Sequence, residues 1–414
     1  MTIQTGIGKK VAYKKELVAW GTQAVAAGGR YLRRVTSDID LSKDTYTSNE
    51  IVTTYQISDF RHGGRKVSGG IQGELSPGAY FDFMQTAMRR DFAAVTAISS
   101  VSLTLAAGSA LNGVAAWNLT RNDAGNWYTG GVRVGSVIRL SVGSLNAANI
   151  NKNLIVMAMT SATVLVVIPL NGVALVAEGP IVTCTITMTG MVTYTPTTAQ
   201  TNDSYSIEHV YADITQSEVF TGCRVSGLDI ALPPTGISTC AVSFMGKDVV
   251  TGTTAYFTTP TAASTKGVVA AVNGVVKVAT IPVGILTGLS IKVDSGMTVG
   301  SVVGSIYTPD VFAGRVNVTG QFTAYFDGVT NRDAFLNETE IGLAGVFASN
   351  NTATSDFISF VMPRVKLGGA TKSDGEQGLI LTCPFQALYN SDGSVSDGDE
   401  NTTLWIQDSN STMA

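Results

Sequence analysis

Histidine is the natural place to look for proton chemistry, and the 414-residue chain holds only two, His62 and His209. His209 lies in IEHVY (207–211) beside Glu208, with Asp213 and Glu218 close behind, so a general base or a metal ligand is one reading. A partly exposed strand residue is the plainer one. His62 lies in DFRHGGR (59–65), a glycine- and charge-rich loop that suits an interface better than catalysis. Cys184, Cys223, Cys240 and Cys383 form no C-x-x-C pair, and with so few histidines they compose no zinc knuckle. They read as free thiols packed as small hydrophobes. GGATKSDGE (368–376) lacks the spacing of a phosphate loop and reads as a hairpin between two strands. The acidic stretch from Asp392 to Glu400 could attract a cation. It also reads as a solvated hairpin tip between strands at 385–389 and 403–407. Neither a G-x-S-x-G elbow nor an H-E-x-x-H pair is present. The expectation is a protein that is not an enzyme, with no catalytic residue, cofactor or resident metal.

Composition narrows the class further. Apolar residues make up an ordinary 44% of the chain, but charged residues only 14%, with a net charge of −4. No Lys/Arg stripe of the kind a sequence-specific DNA binder carries is visible. The opening MTIQTGIGKKVAYKKELVAW has two lysine pairs and no continuous apolar run, and the stretch 268–289 is broken by Asn273, Lys277 and Pro282. The expectation is a product made in a cytoplasm and not inserted in a membrane.

Period two dominates the elements that must position any site. VSGGIQGEL (67–75) and VNVTGQFTAYF (316–326) alternate apolar or small residues with polar ones, as strands with one buried face do. One helix is clear, over 78–92. Ser76 would cap it, Pro77 would sit where its missing N–H costs nothing, and Tyr80, Phe83, Met84, Ala87 and Met88 share a face. Arg89 and Arg90 would fall in its last turn. A second helix is expected at 329–337.

These passages repeat. Val67, Ser68, Gly69, Ile71 and Leu75 match Val318, Thr319, Gly320, Phe322 and Phe326 at an offset of 251, each set followed by a helix. DIDL (38–41) matches SIKV (290–293) at 252. Further on, FTGCRV (220–225) matches FVMPRV (360–365) at 140, and Thr239-Cys240 matches Thr382-Cys383 at 143. The drop places about 110 extra residues in the first copy. The expected domains are 1–95 with 202–262, an insertion at 96–201, and 263–414. The insertion reads as a small β-barrel or sandwich, with strands at 132–142, 154–159, 164–168 and 182–188 and a tight turn at Asn171-Gly172. GVRVGSVI (131–138) resembles the opening of SH3-like barrels.

Several segments, RRVTSDIDLSKDTY (33–46), FRHGGRKVSG (60–69), SEVFTGC (217–223) and GRVNVTGQF (314–322), are similar to those of siphophage tail tube proteins. The resemblance implies an all-β fold of packed antiparallel sheets flanked by a helix, here duplicated. It also implies rings that stack into a tube around the tape-measure protein, carry DNA without specific binding, and belong to the tail of a virion. Six single-domain subunits to a ring would become three chains here, a trimer with pseudo-sixfold symmetry. A low positive charge suits a duct through which DNA slides. The long loops 42–64 and 294–314 would reach the neighbouring ring. Lys43, Asp44, Tyr46, Asn49, Glu50, Arg61, His62, Arg65, Tyr307 and Asp310 are the candidate stacking residues. The alternatives are a bacterial surface or adhesin-like β-protein, which the missing export signal disfavours, and a carbohydrate-binding module in the insertion.

Overall fold

Alternation becomes antiparallel strand almost throughout. The computed structural model describes residues 3–279, 281–374, 376, 378–393 and 398–411. In Phe60–Glu74, Val67 and Ile71 are buried while Ser68 and Gln72 are exposed, because successive side chains leave opposite faces of the sheet.

Gln216–Leu232 is the strand on which the first half is organised. Its start pairs with Tyr205–Tyr211 on one edge and with Asp248–Gly252 on the other, and its end pairs with Thr239–Gly246. Lys9–Lys15 extends the order beyond Tyr205–Tyr211. Phe60–Glu74 and then Asp40–Thr47 extend it beyond Thr239–Gly246. The same order recurs from residue 274 onward. Gly274–Val278, Ile341–Ala348, Phe357–Leu367, Ile380–Ala387, Asn317–Tyr325 and Leu286–Asp294 pair in turn, with Trp405–Asp408 beside the start of Phe357–Leu367.

The halves meet edge to edge. Leu228 faces Val293 and Asp229 faces Lys292, so one run of eight strands extends from Asp40–Thr47 to Phe357–Leu367. Residues matched in sequence also pair alike. Leu41 faces Val67 in the first hairpin, and Val293 faces Val318 in the second. A Cβ on Gly69 would stand 2.6 Å from the Asp38 carbonyl oxygen, and one on Gly320 2.3 Å from that of Ser290. Both strands pass their neighbours too closely for a side chain, which is why the motif needs glycine.

The first helix is shorter than its periodicity suggests. It spans Phe81–Met88, and all of its side chains but Asp82 are buried. Phe83 packs among Tyr13, Tyr205 and Phe244, with ring centroids 4.7, 5.3 and 5.1 Å away. Its ends are tied by the surroundings. Ser76 does not cap it; the hydroxyl donates to the Lys266 carbonyl. The Gly78 N–H donates to the buried Asp408 carboxylate at 2.7 Å. Arg89 takes a left-handed conformation, φ 58°, and stops the helix, so the two arginines stand beyond it. The second helix, Thr330–Leu336, fits its expected range but has no buried residue.

The inserted segment holds a closed barrel of six strands: Ile98–Ala107, Trp117–Arg121, Val137–Ser141, Leu154–Ser161, Val164–Pro169 and Glu178–Met188. The first two were not individually legible in the sequence. The barrel has its own core around Trp127, Leu103, Leu140 and Val156. The chain enters it past Ala93–Ala94 and leaves at Met191–Tyr194, which pair with each other. Outside, Val137, Ile155, Met157 and Ile168 pack on Val346, Ala348 and Phe357 of the second half.

Thr371–Lys372 turns back on Leu381 and Thr382, as a hairpin at 368–376 requires, with Gly375 outside the described residues. The acidic stretch does not join paired strands. Trp405–Asp408 pairs with Phe357–Leu367 and Met191–Tyr194 instead of with Ile380–Ala387. Residues 394–397 of that stretch lie outside the described residues.

Candidate functional site

His209 is buried, 1% exposed, and not the partly exposed residue its alternation suggested. Both faces of Tyr205–Tyr211 are covered, a fact a single strand's pattern cannot report. Its Nε2 lies 2.8 Å from Ser37 Oγ, and its ring meets Phe220 edge-on. Burial, with Lys9 and Arg34 adding to it, pushes the imidazole down to about 3, so it is neutral near pH 7. The neighbouring carboxylates are engaged elsewhere. Glu208 accepts the backbone N–H groups of Tyr256 and Phe257, Glu218 accepts the Tyr211 hydroxyl at 2.7 Å, and Asp213 accepts Thr5. All four cysteines are buried. Among the described residues, no group of three or more His, Cys, Asp or Glu side chains could hold a metal.

The two long loops do come together. The first is only partly a loop: Asp40–Thr47 and Phe60–Glu74 run on as a paired arm, leaving 48–59 as its tip. Along the arm Lys43 faces Arg65, Tyr46 faces Arg61, and Asp44 meets Lys66 at 3.3 Å. Arg61 pairs with Asp59 at 2.7 Å, and His62 packs edge-on against Phe60. Asn49 and Glu50 are exposed at the tip, where the Ser58 hydroxyl lies 3.5 Å from the Glu50 carboxylate.

The second loop folds over the base of this arm. The Arg65 N–H donates to the Ile306 carbonyl at 2.8 Å, and the Arg65 guanidinium lies over the Tyr307 ring, 5.8 Å from its centroid. The same guanidinium meets Asp248 at 3.3 Å. Asp310 is held by Arg224 at 2.6 Å, and Arg224 also donates to the Val311 carbonyl. Arg89 closes the root of the loop, donating to the Ser295 and Gly314 carbonyls at 3.0 and 2.7 Å. Arg65, Tyr307 and Asp310 therefore share one cluster. Lys43, Tyr46, Asn49, Glu50, Arg61 and His62 lie out along the arm.

Sequence reasoning missed the residues beneath the cluster. Trp20 lies under both Arg224 and Lys247, at 5.5 and 5.3 Å, and is contributed from more than 200 residues away. It also missed the apolar side chains at the tips. Ile51, Tyr55 and Val303 are essentially fully exposed. Large apolar residues within otherwise polar connections were the available signal.

The candidate residues thus lie on an arm and the loop folded over its base. A protein-family model described as phage tail tube protein matches residues 6–387. The chain belongs to the phage tail tube protein family. This tail tube protein is accordingly a structural component of a phage tail. The match covers the first half with its inserted barrel and the second half as far as residue 387. No curated protein matches the chain. Among the described residues, no helix is long and apolar enough to cross a membrane.

Proposed function

We propose that this tail tube protein is the ring subunit of a siphophage tail, with three chains closing into a pseudo-sixfold ring and rings stacking into the duct for DNA. Residues 1–95 with 202–262 form one tube domain, 263–414 the second, and 96–201 the insertion. The observation that carries this reading is the repeated strand order on either side of the Leu228–Val293 joint. Each half brings four strands to one continuous sheet.

That sheet has two unlike faces. Leu41, Val67, Val242, Leu228 and Val293 lie on the face that packs on the core. The opposite face carries Ser42, Ser68, Gln72, Ser290 and Gln321, all exposed. Acidic groups outnumber basic ones there: Asp38, Asp40, Asp44, Glu74, Asp229 and Asp294 stand with Lys66, Lys292 and Lys366, and Lys66 is already paired with Asp44 at 3.3 Å. A wall of this kind holds phosphate weakly, as sliding DNA and a tape-measure protein need. The arm and the second loop, with the candidate residues on them, reach the next ring. Assembly takes place in the host cytoplasm.

Cross-sectional imaging of tubes grown from the purified chain tests this. Three barrels per ring and a mass of three chains are expected. Six equivalent protrusions, or a chain that stays monomeric under every condition, would overturn it.

A further inference from the structure

A cleft of about 840 Å³ opens between the inserted barrel and the second half of the chain, within the size range of small-molecule sites. Residues of one repeated motif line it three times: LNGVA at 111–115, LNGVA again at 170–174, and VNGVV at 272–276. The first two belong to the barrel, the third to the start of Gly274–Val278 and the short turn before it. Asn112-Gly113 and Asn171-Gly172 are left-handed at both residues, φ 46° and 79° in one and 63° and 63° in the other, as such tight turns need. Turn chemistry accounts for each motif by itself. It does not account for their meeting at one cleft.

The two barrel turns are tied to the opposite wall. The Asn112 side-chain N–H donates to the Pro282 carbonyl at 3.1 Å, and that of Asn171 to the Asn350 and Thr352 carbonyls at 3.2 and 2.9 Å. The walls are therefore in place before a ligand arrives, which lowers the cost of binding one. Among the described residues, the side-chain oxygens of Asn112 and Asn171 accept no hydrogen bond, and the side-chain amides of Asn273 and Asn351 have no partner at all. Trp117 packs against the barrel core and also lines the cleft. No Lys, Arg, His, Asp or Glu lines it among the described residues.

We propose that this cleft binds a short, neutral oligosaccharide. A primary amide offers a donor and an acceptor side by side, the pairing that adjacent sugar hydroxyls require. Trp117 supplies a broad apolar surface for the C–H face of a pyranose ring. The lining has no counter-charge for a carboxylate, a phosphate or an amine, so a charged glycan would lose its hydration there without compensation. The site is complete within one chain and does not depend on ring closure. It gives the barrel a role that building a tube wall does not require.

Calorimetric titration of the full chain tests this with maltotriose, cellotriose, mannotriose and triacetylchitotriose, and with trigalacturonate as the charged comparison. At least one neutral trisaccharide should bind saturably, and trigalacturonate should not. Asn273→Ala together with Asn351→Ala should weaken that binding about ten-fold, with the unfolding midpoint unchanged, because these amides hold nothing in the fold. Trp117→Ala should weaken it further. Trp117 also supports the barrel core, so the amide double variant keeps the test decisive if the tryptophan variant does not fold. Failure of all four neutral sugars to bind, binding undiminished in the amide double variant, or trigalacturonate binding as tightly as a neutral sugar would each overturn the proposal. None of these results bears on the ring, whose imaging test is separate.

Discussion

Arg224 and Asp310 join the two halves of the chain, with guanidinium and carboxylate 2.6 Å apart. Arg224 comes from the central strand of the first half and is 6% exposed, whereas Asp310 belongs to the second long loop. The arginine also holds the Val311 carbonyl and lies over Trp20. One buried cation therefore fixes a loop that has little core of its own.

Arg224→Met should free that loop. The lost charge-assisted hydrogen bonds should lower stability by about 1–3 kcal/mol, and Asp310→Asn, half-exposed, should cost less. Limited proteolysis between residues 295 and 314 should accelerate markedly in the arginine variant. Cleavage at the unsubstituted rate would show that the ion pair does not fix the loop.

Ile51, Tyr55 and Ile57 are 102%, 99% and 73% exposed at the arm's tip. They contribute nothing to the fold of a single chain, so exchanging all three for serine should leave its unfolding midpoint unchanged within about 2 °C. If the arm reaches into the next ring, stacking should weaken sharply while single rings still form. Sedimentation separates the two species, and tubes of ordinary length from the triple variant would remove the arm from the stacking contact.

How far the sequence carried depended on what each feature needs from elsewhere. The hairpins around Leu41–Val67 and Val293–Val318 were legible because alternation and a repeated glycine act locally. The ends of the first helix were not, because Asp408 and the carbonyls of Ser295 and Gly314 tie them down from distant parts of the chain. His209 looked half-exposed because alternation reports one sheet face and is silent on what covers the other. The base of the loop cluster, Trp20 and Arg224, is assembled from residues with no sequence relation to the loops.

The inserted barrel makes a separable prediction. It is closed, has no free edge and carries its own core, so a fragment of residues 95–190 should fold alone with a cooperative thermal transition. Bridging Ala94 to Met191 with a short glycine turn should keep the remainder foldable, since these two residues already face each other. That remainder uncovers Val346, Ala348 and Phe357, and each larger side chain forfeits on the order of 2 kcal/mol of burial. Tubes without protrusions but with a lowered unfolding midpoint are expected. A deletion that abolishes folding outright would mean that the barrel is part of the second half's core.

Acid should act on this chain through two opposed groups. His209 is depressed from 6.5 to about 3 by burial, so between those values the unfolded chain binds a proton that the folded chain refuses. Its contribution is complete above about pH 6.5 and is lost as pH falls through the window. Asp408 is raised from 3.8 to about 6, also by burial, so the folded chain keeps a proton that the unfolded chain has released. Its contribution therefore declines as pH rises from about 4 to 6, and the two slopes oppose each other there. Denaturant titrations of the monomer across pH 3–7 resolve them. His209→Gln keeps a polar partner for Ser37 and should flatten the rise of stability with pH. Asp408→Asn should steepen it, at a cost at every pH because an amide cannot accept from both the Gly78 and Asn410 N–H groups. A His209→Gln profile parallel to the unsubstituted one would show that the buried imidazole takes up its proton as readily as it does in the unfolded chain.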